Sequence, residues 1–350
     1  MPRVNELMTR SLILILALLL PVVGSAQLAE PVSKSAAIWD VSRIKDRDEC
    51  RIEFPDLIRF RGEWYCSFRE GFVHGNDDSG RARLIRSADG KKWESVKLFE
   101  WDGGDIRDPR LSITPEGLLM MNSCIYYVGK NMGQPESAAE PNIRRQSVTW
   151  LSGDGENWSG VHACPTSVNT WLWDATWHAG LGYAVAYNGT QKSGALFRTR
   201  DGRSWRMLKD DFFPESGGTE AAIAFPKEDL GVCLLRQPSK GGVVNAKLGI
   251  GRGPAWQDWK WKALQIEWNG VATFAGPKLL VLSDGRLVAT GRNMGLWFVN
   301  PETAEFTHFV PPIGNSYPGL VEHEGKLWVT GCSPKVDAVH FAAFNLLKKK

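Results

Sequence analysis

The stretch GPKLLVLSDGRLVATGRN, residues 276–293, holds two short apolar runs on either side of a polar turn with a glycine. Runs of this length, bounded by Gly, Asp and Pro, indicate two buried antiparallel strands joined by a tight turn. The same pattern occurs in residues 54–70, 108–124, 174–189, 220–237 and 316–333. Each hairpin has one marker glycine: Gly62, Gly117, Gly182, Gly231, Gly285 and Gly325. Six such hairpins in one chain predict an all-β fold, a six-bladed β-propeller.

A second repeat falls between successive hairpins. Residues 87–93, 152–158 and 199–205 all fit the pattern [ST]xDGxxW. An Asp side chain can bond the backbone N–H groups of its own turn, and Gly can adopt a positive φ. Asp89, Asp154 and Asp201 are therefore expected to be structural rather than catalytic.

The first 26 residues have the features of a signal peptide. Arg3 and Arg10 form a basic region before an unbroken apolar run, Leu12–Leu20, and small residues precede Gln27. The run is far shorter than the roughly 20 residues that a membrane-spanning helix needs. We therefore expect a cleaved leader (1–26), one propeller domain (27–350), and a secreted or periplasmic protein without a membrane span.

Charge and cysteine usage exclude several classes of function. The chain has 42 basic and 39 acidic residues, a net charge of +3, which gives no general case for binding nucleic acid or membranes. None of the six cysteines forms a CxxC pair, and most lie in apolar, strand-like runs. This favours small core residues over disulfides and argues against a zinc site. We expect no metal and no cofactor.

Propeller geometry predicts which side chains converge. The inner hairpin of a blade starts and ends at the same rim, so the residues at its two ends lie together. This register brings Arg69, Arg236 and Arg292 to one mouth with Glu220 and Tyr317. Such a cluster is hard to explain as solvated surface, but Arg–Glu pairs that lock neighbouring blades are an open alternative.

With these residues in place, the chain resembles the sialidase superfamily over nearly all of residues 45–335. The [ST]xDGxxW turns are similar to the Asp boxes of that family, and the order Glu220, Arg236, Arg292, Tyr317 matches its order of site residues. The resemblance implies that Tyr317 is the nucleophile, Glu220 its base, and the arginines ligands of the substrate carboxylate.

The front of the chain departs from the family pattern. Sialidases carry the first arginine in an Arg-Ile-Pro motif, whereas here Arg51-Ile52 is followed by Glu-Phe-Pro. Arg51 is the first choice for this arginine, and Arg69 in the FREG motif is the rival.

Further polar residues follow these two arginines. Arg107 and Asp108, in a DxRDP motif, either bind substrate or pair with first-blade arginines. His74 is a further substrate-binding candidate, and Asp77 or Asp78 is the expected acid/base, with a simple turn as the alternative for this aspartate pair.

The chemistry explains the residue types. A sialoside has a carboxylate on its anomeric carbon, which repels an anionic nucleophile but not a neutral tyrosine; sialidases are an exception to the two-carboxylate scheme for this reason. The planar guanidinium of arginine donates two parallel hydrogen bonds to a carboxylate.

These patterns lead to three hypotheses. The first is a monomeric exo-glycosidase of sialidase type that acts on sialylated or other acidic glycans. The alternatives are a hydrolase or lyase for a uronate-containing polysaccharide, and a non-catalytic glycan-binding propeller.

Overall fold

The computed structural model describes residues 29–32, 34–44, 50–75, 77–128, 144–164, 169–187, 194–213, 217–237, 246–264, 266–269 and 273–346. The predicted leader lies outside these residues. The described strands form six antiparallel sheets, each built from consecutive segments of the chain, whose innermost strands contact one another in ring order. The predicted six-bladed β-propeller is confirmed.

Two short strands precede the first blade: β1 (Ala29–Pro31) and β2 (Ala36–Asp40), the latter followed by a 3-10 turn, Val41–Arg43. Blade 1 contains β3 (Arg51–Phe60), β4 (Glu63–Gly71), β5 (Arg81–Ser87) and β6 (Glu94–Phe99). Blade 2 contains β7 (Gly104–Ile113), β8 (Leu119–Tyr127), β9 (Arg145–Ser152) and β10 (His162–Ala163). Blade 3 contains β11 (Trp171–Leu172), β12 (Thr176–His178), β13 (Leu181–Tyr187), β14 (Ala195–Thr199) and β15 (Trp205–Lys209).

The second half continues the pattern. Blade 4 contains β16 (Ala221–Lys227), β17 (Leu230–Arg236), β18 (Ala246–Arg252) and β19 (Trp259–Leu264). Blade 5 contains β20 (Lys278–Val281), β21 (Leu287–Gly291), β22 (Gly295–Asn300) and β23 (Glu305–Val310). Blade 6 contains β24 (Gly319–His323), β25 (Lys326–Cys332) and β26 (Ala338–Leu346). Strands β1 and β2 complete blade 6 by pairing with β26, so that both ends of the described chain share one sheet.

The inner strands of blades 1 and 2 each contain a bulge at the same place. The register shifts between Glu53 and Asp56 in β3, and between Arg107 and Arg110 in β7. In both, the residue before a proline has a positive φ: 59° at Phe54 and 46° at Asp108. Each bulge turns the strand so that side chains on both sides of the proline face the propeller mouth or axis. The strands begin several residues earlier than the hairpin pattern indicated.

The six hairpins agree with the sequence pattern, although two marker glycines have another role. Gly182 and Gly231 lie inside strands β13 and β17, where an added Cβ would come within 2.8 Å of Thr199 and 2.9 Å of Trp259, respectively. These glycines therefore make room for neighbouring side chains.

The three [ST]xDGxxW turns share one hydrogen-bond pattern. In the first, the Asp89 carboxylate accepts from the backbone N–H groups of Lys91 and Lys92 at 2.8 and 2.9 Å. Asp154 and Asp201 accept in the same way from the two residues after their own glycine. These aspartates are engaged in their turns, on the rim opposite to the one where the inner hairpins start and end.

Apolar and aromatic side chains fill the space between blades. Trp64 packs against Trp328 in a tilted and against Phe341 in an edge-to-face arrangement between blades 1 and 6, with ring centroids 4.8 and 5.4 Å apart. All six cysteines lie within the described residues, are buried and form no disulfide there, in agreement with their interpretation as core residues. Across the described ranges, no helix has both the length and the apolar character that crossing a membrane requires.

Candidate functional site

Three of the predicted site residues meet at the propeller mouth. The Tyr317 hydroxyl donates to Glu220 Oε1 at 3.1 Å. Arg236 Nη1 lies 2.6 Å from both carboxylate oxygens of Glu220 and 3.5 Å from the Tyr317 hydroxyl. Glu220 precedes β16 and Arg236 ends β17, so one hairpin of blade 4 supplies both, while Tyr317 precedes β24 of blade 6. The convergence comes from the shared rim of the inner hairpins.

The surroundings keep the Tyr317 phenol protonated. Burial, then the negative charges of Glu220 and Asp108, raise the pKa of Tyr317 well above its ordinary value, and the Arg236 charge only partly offsets them. Burial opposes the charge of Arg236, but Glu220 holds the pKa of Arg236 above its ordinary value. The site therefore pairs a neutral phenol with a carboxylate that is itself held by a cation.

The Tyr317 ring is fixed by tight packing. It contacts Phe54 and Trp173, with ring centroids 4.9 and 5.7 Å apart. Gly276 lies against the ring, and a Cβ at this position would come within 2.0 Å of Tyr317 Cγ. The Gly276 N–H also faces Glu220 Oε2 at 3.4 Å. Packing on several sides sets the direction in which the hydroxyl points.

A buried arginine lies under this ring. Arg110 is 1% exposed, and its guanidinium lies 5.0 Å from the centroid of Trp173 and 5.6 Å from that of Tyr317. None of its three nitrogens has a hydrogen-bond partner among the residues that the structure describes. Its charge is thus stabilised by the two aromatic faces and by nearby carboxylates rather than by a direct ion pair.

Asp108 titrates next to this group. It is 3% exposed, and burial raises its pKa to about 6 although Arg107 and Arg110 favour the ionised form; the charge of Glu220 adds to the rise. The second blade therefore places at the mouth a carboxyl group that changes its charge in mildly acidic solution.

Glu53 joins several predicted residues on the blade 1 side. Its Oε1 accepts from Arg51 Nη2 at 3.1 Å and lies 2.8 Å from His74 Nδ1, while its Oε2 lies 3.5 Å from Arg69 Nη1. Burial opposes its ionisation, but His74 and then Arg51 hold the pKa of Glu53 below its ordinary value. Arg51 and His74 remain largely open to solvent, with side chains 41% and 61% exposed.

The rival first arginine has a different environment. Arg69 is fully buried, and its Nε and Nη2 donate to the two oxygens of Asp105 at 2.8 and 3.1 Å. Its Nη1 donates to the Val73 carbonyl at 2.8 Å. The Arg69–Asp105 pair joins blade 1 to blade 2. A ligand could reach the Arg69 guanidinium only by displacing Asp105 and the Val73 carbonyl.

Arg107 lies among aromatic rings at the mouth. Its guanidinium is 5.6 Å from Phe54, 5.7 Å from Tyr126 and 5.5 Å from Trp171. The charges of Asp108 and Asp105 raise the pKa of Arg107 against the effect of burial. The aromatic rings fix the position of the Arg107 side chain, which is still 11% exposed and can therefore contact a ligand.

The two candidate acid/base residues lie in the loop after β4. Asp77 Oδ1 accepts from the Ser79 hydroxyl at 2.7 Å and from its N–H at 3.2 Å, and lies 3.9 Å from Arg69 Nη2. Asp78 is exposed. Asp77 thus has the contacts of a turn-forming aspartate, whereas Asp78 projects from the same loop.

Arg292 follows β21 and has an exposed side chain. Its backbone N–H donates to the Ala275 carbonyl at 2.8 Å, which places it beside the Gly276 segment that supports Tyr317. It belongs to the same rim, but its guanidinium is not part of the buried cluster.

Two residues of the central region did not emerge from the sequence patterns. Lys278 Nζ lies 3.0 Å from Asp56 Oδ2 and 3.1 Å from Asp174 Oδ2, and thus links blades 1, 3 and 5 across the axis. Glu53 is the other. The signal for Lys278 was the repeated Pro step, since Pro55-Asp56, Pro109-Arg110 and Pro277-Lys278 all place a charged residue directly after the proline.

No protein-family model matches this chain, and no curated protein sequence matches it significantly. Solved structures match by fold. A Dyadobacter fermentans protein of unknown function has a TM-score of 0.71 at 16% identity, covering 91% of this chain and 100% of its own.

Two similar structures belong to proteins named as glycosidases. The Hadza microbial sialidase Hz136 has a TM-score of 0.63 at 14% identity and covers 84% of this chain, which spans 65% of that protein. The Penicillium chrysogenum α-L-arabinanase in complex with arabinobiose has a TM-score of 0.63 at 13% identity, covering 91% of this chain and 98% of its own. At these identities the similarity establishes the shared propeller fold.

Proposed function

We propose that this protein is an exported glycoside hydrolase of the sialidase type, which releases a terminal sialic acid or a related acidic sugar from glycans. The observation that carries the proposal is the 3.1 Å hydrogen bond from the Tyr317 hydroxyl to Glu220 at the propeller mouth. A phenol alone is a poor nucleophile, and a carboxylate in hydrogen-bond contact is the base that activates it.

The reaction would proceed in two steps. Tyr317 oxygen bonds to the anomeric carbon as the glycosidic C–O bond breaks, and the phenolic proton passes to Glu220. Asp78 or Asp77 protonates the leaving oxygen, then takes a proton from water as that water attacks the tyrosyl-linked sugar. Departure of the tyrosyl oxygen, which recovers its proton from Glu220, restores the site. The two displacements retain the anomeric configuration.

The substrate carboxylate would bind to the accessible cations of the mouth. Arg51 and Arg292 have exposed side chains, and the Arg236 side chain is 29% exposed beside Tyr317. Arg107 extends this positive surface on the blade 2 side. A charged hydrogen bond of this kind contributes about 1.5–3 kcal/mol, so several together account for acidic-sugar binding by a chain of net charge +3. Arg69 would act indirectly, by holding the loop of Asp77 and Asp78.

The activities of the structural neighbours are in accord with a glycoside hydrolase. One neighbour is a sialidase and another an arabinanase bound to a disaccharide, so the propeller fold serves enzymes that act on different glycans. The choice of an acidic sugar rests on the arginines of the mouth, and a uronate is the alternative acidic substrate.

The decisive experiment compares the chain from Gln27 with its Tyr317→Phe variant on a panel of sialosides. We expect release of sialic acid by the parent protein, and loss of at least on the order of a thousandfold in the variant, because the nucleophilic oxygen is missing. The phenylalanine keeps the ring contacts, so the thermal midpoint should change little. If the variant releases sialic acid at the parental rate, Tyr317 is not the nucleophile.

Glycan binding without turnover is the second candidate, and the 6% exposure of Tyr317 favours it. In that case neither sialosides nor uronate oligomers are cleaved, but both proteins bind them equally. An unsaturated, ultraviolet-absorbing product from a uronate polymer would instead identify a lyase.

A further inference from the structure

Blade 3 has a strongly basic patch on the rim opposite to the mouth. Four exposed arginines lie within nine residues, at the end of β14, in the following turn and at the start of β15: Arg198, Arg200, Arg203 and Arg206. Strand β13 runs towards the mouth and β14 away from it, so this turn belongs to the far rim. We call these four residues the blade 3 basic patch.

Two of these arginines are paired directly across the sheet. Arg198 on β14 lies opposite Arg206 on β15, and like charges in this arrangement destabilise a sheet. Within the part of the chain that the structure describes, none of the four arginines has a carboxylate within 4.0 Å. Asp201, in the same turn, has its Oδ1 engaged by the N–H groups of Arg203 and Ser204 at 2.9 and 3.0 Å.

Blade 1 has an ion pair at the equivalent position. There, Arg86 stands one residue before Ser87, as Arg198 stands one residue before Thr199, and its cross-strand partner is Glu94. Arg86 and Glu94 form a salt bridge of 2.7 Å, and Glu156 adds a second at 2.6 Å. Blade 3 keeps the arginine but replaces its acidic partner with a second arginine. The missing negative charge is what a bound anion would supply.

The patch also has the shape of a binding site. Arg198, Arg200 and Arg206 line a depression of about 450 Å³, together with Leu181, Thr199, Asp201 and Ser204. The Asp201 carboxylate in this lining is engaged by the N–H groups of its own turn. This volume lies in the range of roughly 300–1,000 Å³ that is usual for ligand pockets. Planar guanidinium groups at its wall can each donate two hydrogen bonds to a carboxylate.

We propose that the blade 3 basic patch is a second glycan-binding site, which holds acidic sugars of a polymeric substrate remote from the mouth. The identity of the polymer rests on the proposed function, because a chain with several acidic sugars offers the same carboxylates to both rims. Such a site would increase the residence of a polymer on the protein without affecting the hydrolysis of a single sialoside.

The test uses R206E, which restores the charge pairing of blade 1. The control K91Q/K92Q removes the same amount of charge at the equivalent turn of blade 1, where both lysines are exposed. Each is made in the Tyr317→Phe background to prevent turnover, and the binding of fluorescently labelled polysialic acid is measured by anisotropy at low and physiological ionic strength. Neutral dextran is the control polymer.

We expect R206E to weaken polysialic acid binding about tenfold or more, to reduce its salt dependence, and to raise the thermal midpoint. K91Q/K92Q should bind within about twofold of the parent protein. Equal binding by R206E and the parent, or equal losses in both variants, would overturn the proposal. So would a preference of the patch for duplex DNA or anionic vesicles over the polysaccharide.

The two proposals fail separately. On a small sialoside, R206E in the otherwise unaltered chain should keep the parental kcat/KM. If no sialoside is cleaved but polymer binding still depends on Arg206, the proposed function fails and the second site stands.

Discussion

Asp108 gives the clearest pH dependence at the scale of single residues. Its pKa of about 6 in the folded protein lies above the ordinary 3.8, so the folded state binds the proton more tightly than the unfolded state. The neutral form therefore favours folding at low pH, and this contribution is lost as the pH rises from about 4 to above 6. The difference corresponds to about 3 kcal/mol.

Replacement of Asp108 by Asn removes this titration and keeps the shape. We expect the free energy of unfolding of Asp108→Asn, relative to the parent, to increase by about 2.4 kcal/mol between pH 4 and pH 7.5. Denaturant titrations at the two pH values measure it. If the free energies of unfolding of the two proteins change with pH in parallel, ionisation of Asp108 does not destabilise the folded state.

Individual site residues differed in how far the sequence could identify them. Glu220, Arg236 and Tyr317 were predictable as neighbours, because hairpin ends meet at one rim whatever the side-chain details. The ion pair that buries Arg69 depends on Asp105, which belongs to the next blade. For the DxRDP motif, the sequence left two roles open: substrate binding and pairing with first-blade arginines. Only the three-dimensional arrangement shows that its Asp105 pairs with Arg69.

At the scale of elements, the segment before β20 supports the nucleophile. Gly276 has a φ of +56° and touches the Tyr317 ring, whereas Gly285, in the β20–β21 turn, has a φ of +82° and open space around it. Gly285→Ala therefore meets only the backbone cost, about 1 kcal/mol. Gly276→Ala meets that cost and displaces Tyr317, for a total of about 3 kcal/mol.

This pair of glycine variants separates backbone strain from site geometry. We expect Gly276→Ala to lose most of the sialoside hydrolysis, while Gly285→Ala keeps the parental rate; unfolding curves and initial rates of both proteins measure the two effects. An active Gly276→Ala protein would show that the position of the Tyr317 ring is not critical.

The bulges mark the limit of prediction from strand patterns. A period-two pattern with a proline was enough to locate the hairpins, but a bulge changes which side chains share a face. For this reason Glu53, on the far side of the β3 bulge, was missed, although it accepts bonds from Arg51, His74 and Arg69.

At the scale of the whole molecule, ring closure depends on the N-terminal strands. Strand β2 buries Ile38 and Trp39 to 7% and 4% exposure, whereas β1 buries only Ala29. A chain that starts at Val41 should lose on the order of 5 kcal/mol of stability, because two large apolar side chains no longer pack. It also leaves an unpaired edge at β26, which favours association.

The matched control for this truncation starts at Lys34 and lacks only β1. We expect it to stay monomeric and to lose about 1 kcal/mol or less, as judged by denaturant unfolding and sedimentation relative to the chain from Gln27. Equal stability of the two truncated chains would mean that β2 does not hold the ring closed.

The axis is the second feature that involves the whole ring. Lys278 connects carboxylates from two other blades, and although burial opposes its charge, Asp174 and Asp56 hold its pKa above the ordinary value. Lys278→Met leaves both carboxylates buried without this partner, and should cost roughly 3–5 kcal/mol at pH 7. The exposed pair Lys227–Glu302 provides the control, since Lys227→Met should change stability by less than about 1 kcal/mol.

The pH dependence of this deficit identifies its origin. Burial already raises the pKa of Asp174, and loss of the Lys278 charge raises it further, so the folded variant takes up a proton and the deficit shrinks as the pH falls from 7 to 5. A deficit that is equal at both pH values would point to lost packing of the lysine side chain instead. Because Arg110 lies near Asp174 and under Tyr317, Lys278→Met should also slow sialoside hydrolysis, which couples the charge balance of the axis to the site at the mouth.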